Sequence, residues 1–299
     1  MMAGARLYLI LRTELHQALA DAATEAGAEI ITGSAVSHAT RDGELVLEDG
    51  SSLSADLVVG ADGVYSRVRE ALQLGLAVQD LRDGCSRHLI ARSGRDPHEI
   101  TIEYWHGGRR IGICPCSPDD VYVYLCCPAR DIAGRAKPLD RETWIDSFPH
   151  LAGVVERIPD VGRWACFYDT ACHSWSRGRV ALVGDAAHAM SPQLGQGACV
   201  AMANALALGQ ALDLTDDVAT ALELWERSER WITDATQRYS RIYGRIGITW
   251  TDRMLDVRSG LVWLLGRSEL FQKRANVAAH HFPRLDQHAA GDVGVLHRT

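Results

Sequence analysis

Residues 177–198 read RGRVALVGDAAHAMSPQLGQGA. An apolar run, Val180 to Val183, stops at Gly184-Asp185 and passes Pro192 and two more glycines. It then leads into a small-residue stretch whose spacing predicts a tightly packed helix to about Leu212. A strand ending on Gly-Asp sets a carboxylate at the carboxyl edge of a sheet, where open α/β sheets bind ligands. Such a carboxylate accepts hydrogen bonds from hydroxyls. The glycines of Gly195-Gln196-Gly197 leave backbone unshielded, so the first N–H groups of the following helix face an anion or a polarised carbonyl.

Working outward, TELHQALADAATEAGAEI (13–30) places Leu15, Leu19 and Ala22 at helical spacing; Gly27 ends that helix, and AEIITGSAV (28–36) is expected to begin a strand. GELVLEDGSSLSADLVVGADG (43–63) alternates about Asp49-Gly50, a hairpin signal, and predicts a meander whose last run, Leu57 to Val59, meets a second Asp-Gly turn. Residues 99–127 hold three β-rich runs punctuated by Gly107-Gly108 and Ser117 to Asp120, an antiparallel sheet in a separate layer. Residues 217–245 have helical periodicity, GLVWLLGRSELFQKRANVAA (260–279) reads as one further amphipathic helix, and a polar tail follows Pro283.

Composition limits the functions available. The chain has 299 residues, 47% hydrophobic and 23% charged, and 31 basic against 38 acidic residues give a formal charge of -7. No basic block accompanies that balance, so nucleic acid is not an expected partner. The eight cysteines lack the paired spacings of a zinc site and are expected to be free thiols, with no metal bound. Met1 to Arg12 is too short an apolar stretch to span a bilayer; a cytoplasmic protein without a membrane partner is expected. Trp144, Trp164, Trp175 and Trp225 read as core aromatics and His188 as a structural residue. Tyr104, Tyr122 and Tyr124 lie on the antiparallel sheet, where alternation turns only some of them towards a substrate.

Two turns taken together are more specific than either alone. LVVGADGVYSRVR (57–69) and GRVALVGDAAHAMSPQLGQGA (178–198) resemble the paired Asp-Gly and Gly-Asp signatures of flavoprotein aromatic hydroxylases, the single-component FAD-dependent monooxygenases that include salicylate and 4-hydroxybenzoate hydroxylase. ILRTELHQAL (10–19) is similar to the Arg-x-x-Leu helix start that precedes both. The resemblance implies an α/β fold: an FAD-binding Rossmann-like domain of the glutathione-reductase type, an inserted antiparallel β-sheet substrate domain and C-terminal helices. It divides the chain into a partial FAD-binding domain (1–75), the substrate sheet (76–170), a return segment of the FAD-binding domain (171–212) and a helical region (213–299).

By the same resemblance, Asp185 accepts hydrogen bonds from the ribityl chain, Arg12 stands near the ribityl and diphosphate, and Asp62 organises its turn against the diphosphate. Pro192, Gly195, Gln196 and Gly197 border the isoalloxazine ring. No side chain is assigned to catalysis. The family's Gly-x-Gly-x-x-Gly turn is absent from the sequence, so the FAD-binding domain is expected to lack its first βαβ unit. Where the family has Asn and then an acidic pair after Gly197-Ala198, this chain has Cys199 and Ala203-Asn204. The implied activity is hydroxylation of a small aromatic substrate by molecular oxygen, driven by NADPH or NADH through a C4a-hydroperoxyflavin. Two readings stand beside it: a flavin epoxidase or reductase on the same fold, and a non-catalytic remnant or subunit that needs a partner to complete the FAD site.

Overall fold

The computed structural model describes residues 8–285 apart from Thr249 and Thr251. The polar tail lies largely outside the described residues, as do Met1 to Leu7 of the N-terminal apolar stretch. Helix α1 (Arg12–Glu25) is followed by β1 (Val36–Ala39), β2 (Glu44–Leu47) and β3 (Ser52–Ser54), an antiparallel meander turning at Asp49-Gly50. Two expectations need correction here. Residues 28–35 are not a strand: the first strand starts only at Val36, and Ile30 and Ile31 are exposed. The run at Leu57 does not continue the meander either. It becomes β4 (Val58–Gly60), which joins a different sheet.

After α2 (Arg67–Ala71) comes β5 (Gly75–Ala91), a 17-residue strand that the sequence did not reveal, then β6 (Ile102–His106), β7 (Arg109–Pro115) and β8 (Asp120–Pro128). Short helices α3 (Arg141–Ser147) and α4 (Ala152–Val155) precede β9 (Ala165–Cys172), which closes a five-stranded antiparallel sheet in the order β6-β7-β8-β5-β9. Its outer face packs Ile111, Val121, Val123 and Leu125 against Trp144 and Phe148. Tyr104 packs with that layer, whereas Tyr124 packs on the opposite face beside Cys85, Cys126 and Phe167.

The chain then returns through β10 (Ser176–Arg177) and β11 (Val180–Leu182). β11 pairs in parallel with β4, Val180 opposite Val58 and Leu182 opposite Gly60. This pair is the hub of a second core. Val180, Ala181 and Leu182 are fully buried against Val68, Trp175, Ala207, Leu208 and Trp225. One turn of helix, α5 (Asp185–His188), leads through the Pro192 turn into α6 (Gly197–Leu214), whose small residues let it lie along α7 (Val218–Ile248). Among the described residues α6 is the one helix long and apolar enough to cross a membrane; its Val200, Ala207, Leu208 and Ala211 are buried in the protein.

The expected final amphipathic helix is two helices, α8 (Leu255–Arg267) and α9 (Glu269–Ala275), split because Ser268 turns extended and its side chain caps the Phe271 N–H. Trp144, Trp175 and Trp225 are core aromatics, each at most 1% exposed; Trp164 is half-buried.

Candidate functional site

The parallel pair β4 and β11 sends two turns out of the same sheet edge. In the first, Asp62 Oδ2 accepts from the backbone N–H groups of Arg67 (2.8 Å) and Val68 (3.2 Å), so it organises the start of α2. Gly63 takes φ +82, and a Cβ there would meet nothing within 4 Å: the turn's backbone is uncovered on one side. In the second, Gly184 at φ +58 aims Asp185 out of the strand end. Arg69, buried in α2, ties the two turns together, donating to Ala186 O (2.7 Å) and Val64 O (2.6 Å). Its place in VYSRVR was part of the quoted signature, but its role as a staple is not readable from spacing.

Asp185 makes no hydrogen bond among the described residues. Surrounding protein pushes its pKa above the ordinary carboxylate value, and the Arg12 guanidinium pulls it the other way. The structure thus brings Arg12 and Asp185 together across more than 170 residues of sequence, at the exposed start of α1. Asp185 is a carboxylate with a cation nearby and its acceptor lone pairs free. Such a group is able to accept hydrogen bonds from hydroxyls.

The Pro192 turn forms the floor beyond it. Pro192 to Leu194 make a single 3-10 turn, and Gly195 adopts the left-handed conformation (φ +65) with open space where a Cβ would stand. At Gly197 a Cβ would touch only Met190, at an ordinary 3.5 Å. The α6 ladder begins with Val200 N to Gln196 O, which leaves the earlier N–H groups without helical acceptors. Gln196 contributes backbone alone: its side chain is buried and turned away, donating to Ala275 O and Asn276 Oδ1.

On the other side of the Pro192 turn lies a cavity of about 390 Å³ between β5, β9 and α7. Asp80, Arg82 and Asp83 line it from β5, Phe167 from β9, Ser191 and Gln193 from the turn, and Arg241 and Gly244 from α7. None of Tyr104, Tyr122 and Tyr124 lines it, because the β5–β9 half of the sheet, and not β6 to β8, forms the wall. A buried triad joins the cavity to the turn. Arg110 of β7, fully buried, pairs with Asp83 Oδ2 and donates to Gln193 Oε1 (3.0 Å), while Gln193 Nε2 donates to Asp83 Oδ2 (3.1 Å). Sequence reasoning missed this triad, yet a signal exists. Gly244 and Gly247 interrupt an otherwise strong helix, and a Cβ at either would press on Gln193 or Arg110.

His188 lies behind the site. Asn204 Nδ2 meets its Nε2 at 2.9 Å and Thr233 Oγ1 at 3.2 Å, and Trp175 packs against the ring. Asn204 is therefore a core residue. Burial lowers the His188 pKa from 6.5 to about 4. Since the folded state refuses the proton that the unfolded chain accepts, stability is intact above pH 6.5 and is lost as pH falls from 6.5 towards 4. The loss attributable to this one group is about 3 kcal/mol. Urea unfolding across that range should show the slope in the native chain and a flatter one in His188→Gln; parallel slopes would exclude His188 as the titrating group.

A free carboxylate and cation at a strand end, an uncovered glycine turn at a helix start, and a polar cavity sharing that turn define the dinucleotide-flavin class of redox enzyme. The residues 2–216 match the family described as FAD binding domain, and the chain belongs to it; it is an FAD-dependent monooxygenase. It is 39% identical over 281 residues to a putative 2-heptyl-3-hydroxy-4(1H)-quinolone synthase of Rhodococcus erythropolis (92% of this chain, 72% of the relative). A 2-heptyl-3-hydroxy-4(1H)-quinolone synthase of Mycobacteroides abscessus is 35% identical, over 91% of this chain and 75% of its own. Among solved structures, the tetrameric form of 2-methyl-3-hydroxypyridine-5-carboxylic acid oxygenase superposes with a TM-score of 0.78 at 35% identity, covering 90% of this chain and 71% of the other.

Proposed function

We propose that this chain hydroxylates an oxo- or hydroxy-substituted nitrogen heteroaromatic, using oxygen and NADH or NADPH. The observation that carries this reading is the shared turn: Ser191 and Gln193 line the cavity, and two residues later the backbone opens at Gly195 and Gly197. A ring held in the cavity and a flavin held on the glycine turn would be neighbours. The relatives' names support the substrate class, since quinolone and hydroxypyridine are both nitrogen heteroaromatics bearing oxygen.

The residues fit FAD. Asp185, unpartnered, would take ribityl hydroxyls, with Arg12 as the nearby cation; Asp62 would keep its turn in place for the diphosphate. Pro192, Gly195 and the backbone of Gln196 and Gly197 would border the ring, and the positive end of the 18-residue α6 would hold negative charge at its pyrimidine edge. Bound FAD supplies hydride acceptance and oxygen activation. The cavity walls orient the substrate and exclude water. The division at residues 75 and 170 is supported by the sheet's span, Gly75 to Cys172, and that at 212 by the end of α6 at Leu214. All eight cysteines are free thiols, which supports a cytoplasmic location.

The balance to test is substrate, O2, NAD(P)H and a proton giving hydroxylated product, water and NAD(P)+. With FAD supplied, 4(1H)-quinolone or 2-methyl-3-hydroxypyridine-5-carboxylate should raise NAD(P)H oxidation at least about tenfold, the scale on which substrate positioning acts. The product should carry one oxygen atom from labelled O2. Stimulated NAD(P)H oxidation in which all the oxygen ends as hydrogen peroxide would favour a reductase; an epoxide product would favour the epoxidase.

A further inference from the structure

Strand β5 is broken where it meets the cavity. Its pairing with β9 runs from Gly75 to Asp80, opposite Tyr168, and resumes at Gly84, opposite Cys166, so the intervening residues have too few partners and bulge. At the bulge Arg82 has φ +53, a left-handed conformation that an arginine rarely adopts. The surroundings hold it there: the Arg82 N–H donates to Asp80 Oδ1 at 2.6 Å, and its carbonyl accepts from Ala129 N at 2.9 Å. Strain of this kind persists where neighbours over-determine it, and it gathers at functional sites.

The charges around the cavity are otherwise matched. Arg110 has Asp83, and Arg241 has Asp169 at 2.5 Å. Asp80 accepts from Cys166 Sγ and from the Arg82 backbone. Arg82 lines the cavity and is exposed, and its guanidinium makes no hydrogen bond or salt bridge among the described residues; it acts on Asp80 only at longer range. A second residue with the same backbone anomaly, Gln73, lies outside the cavity lining.

We propose that Arg82 is a specificity-determining residue: the strained bulge presents its guanidinium to an anionic group, a carboxylate, on the substrate ring. The inference rests on the heteroaromatic reading above and narrows it to ring acids. An arginine fork matches a carboxylate in two parallel hydrogen bonds, so lysine replaces it incompletely.

The test uses equilibrium binding to the 299-residue chain, followed by tryptophan fluorescence, with 2-methyl-3-hydroxypyridine-5-carboxylate and 2-methyl-3-hydroxypyridine as probes. The native chain should bind the acid at least about tenfold more tightly than the ring without it, and Arg82→Asn should bring the two within about threefold, with Arg82→Lys between. Asparagine is at ease in the left-handed region, so Arg82→Asn should also raise the melting temperature by about 2–4 °C. A residue kept only for folding would not lose ligand preference while gaining stability. Equal binding of the two probes by the native chain, or a preference that survives in Arg82→Asn, would overturn the role of Arg82 and leave the heteroaromatic reading intact. Binding of neither probe would take both down.

Discussion

Arg110→Ala is expected to lower the free energy of unfolding by about 3–5 kcal/mol, the usual cost of stranding one member of a buried ion pair. Arg110 is fully buried and Asp83 nearly so, and Gln193 is the other side chain that donates to the aspartate among the described residues. Burial already pushes the Asp83 pKa up, opposed chiefly by Arg110. Without the arginine, that carboxylate would face low-dielectric surroundings alone and Gln193 would lose the donor that fixes its amide. Urea denaturation measures the loss. Because the penalty comes from the stranded charge, Arg110→Ala combined with Asp83→Ala should be more stable than Arg110→Ala by itself. A cost below about 1 kcal/mol for the single change would mean that the pair is solvated and that the triad does not anchor the turn.

Asp185→Ala is the second large effect, and it falls on binding. A charge-assisted hydrogen bond to a ribityl hydroxyl is worth about 1–3 kcal/mol, so FAD affinity should drop by about 5–150-fold. Asp185→Asn, which keeps an acceptor oxygen, should lose less. Stability of the flavin-free protein should hold or rise slightly, since the carboxyl has no partner in the fold and its pKa is raised by burial. Flavin fluorescence titration and thermal melts of the same samples separate the two quantities. Unchanged affinity in both variants would make Asp185 a turn residue only.

Those two aspartates show what a sequence discloses. Asp185 was legible as a candidate because its signal is local: an apolar run, a Gly-Asp stop and a glycine-marked helix start lie within twenty residues. The helices from Arg12, Gly197 and Val218 were legible for the same reason, each carrying its periodicity within itself. Asp83 was not. Its partner is 27 residues away on another strand, and Arg109-Arg110 reads as an ordinary surface pair. In the fold Arg109 turns to Asp131 on the outer face while Arg110 turns inward.

Strand β5 escaped notice because its middle, Gln79 to Asp83, is polar except for Leu81 where it lines a cavity, which destroys the alternation by which strands are recognised. The single-helix reading of residues 260–279 failed at Ser268, a residue as acceptable inside a helix as at its start.

The shared turn also determines which changes this scaffold tolerates separately. Positions on β5 and α7 meet the cavity without meeting the glycine-marked helix start, so variation at Gln79, Arg82 or Ile248 can redraw the chamber one wall at a time. Gln193 has no such independence: it touches Asp83, Arg110 and Gly244 at once and sits two residues before Gly195. A library built for new ring shapes gains most from diversifying the strand and helix walls with Ser191 to Gly197 held fixed. Selection acting on the turn itself would trade one property against the other.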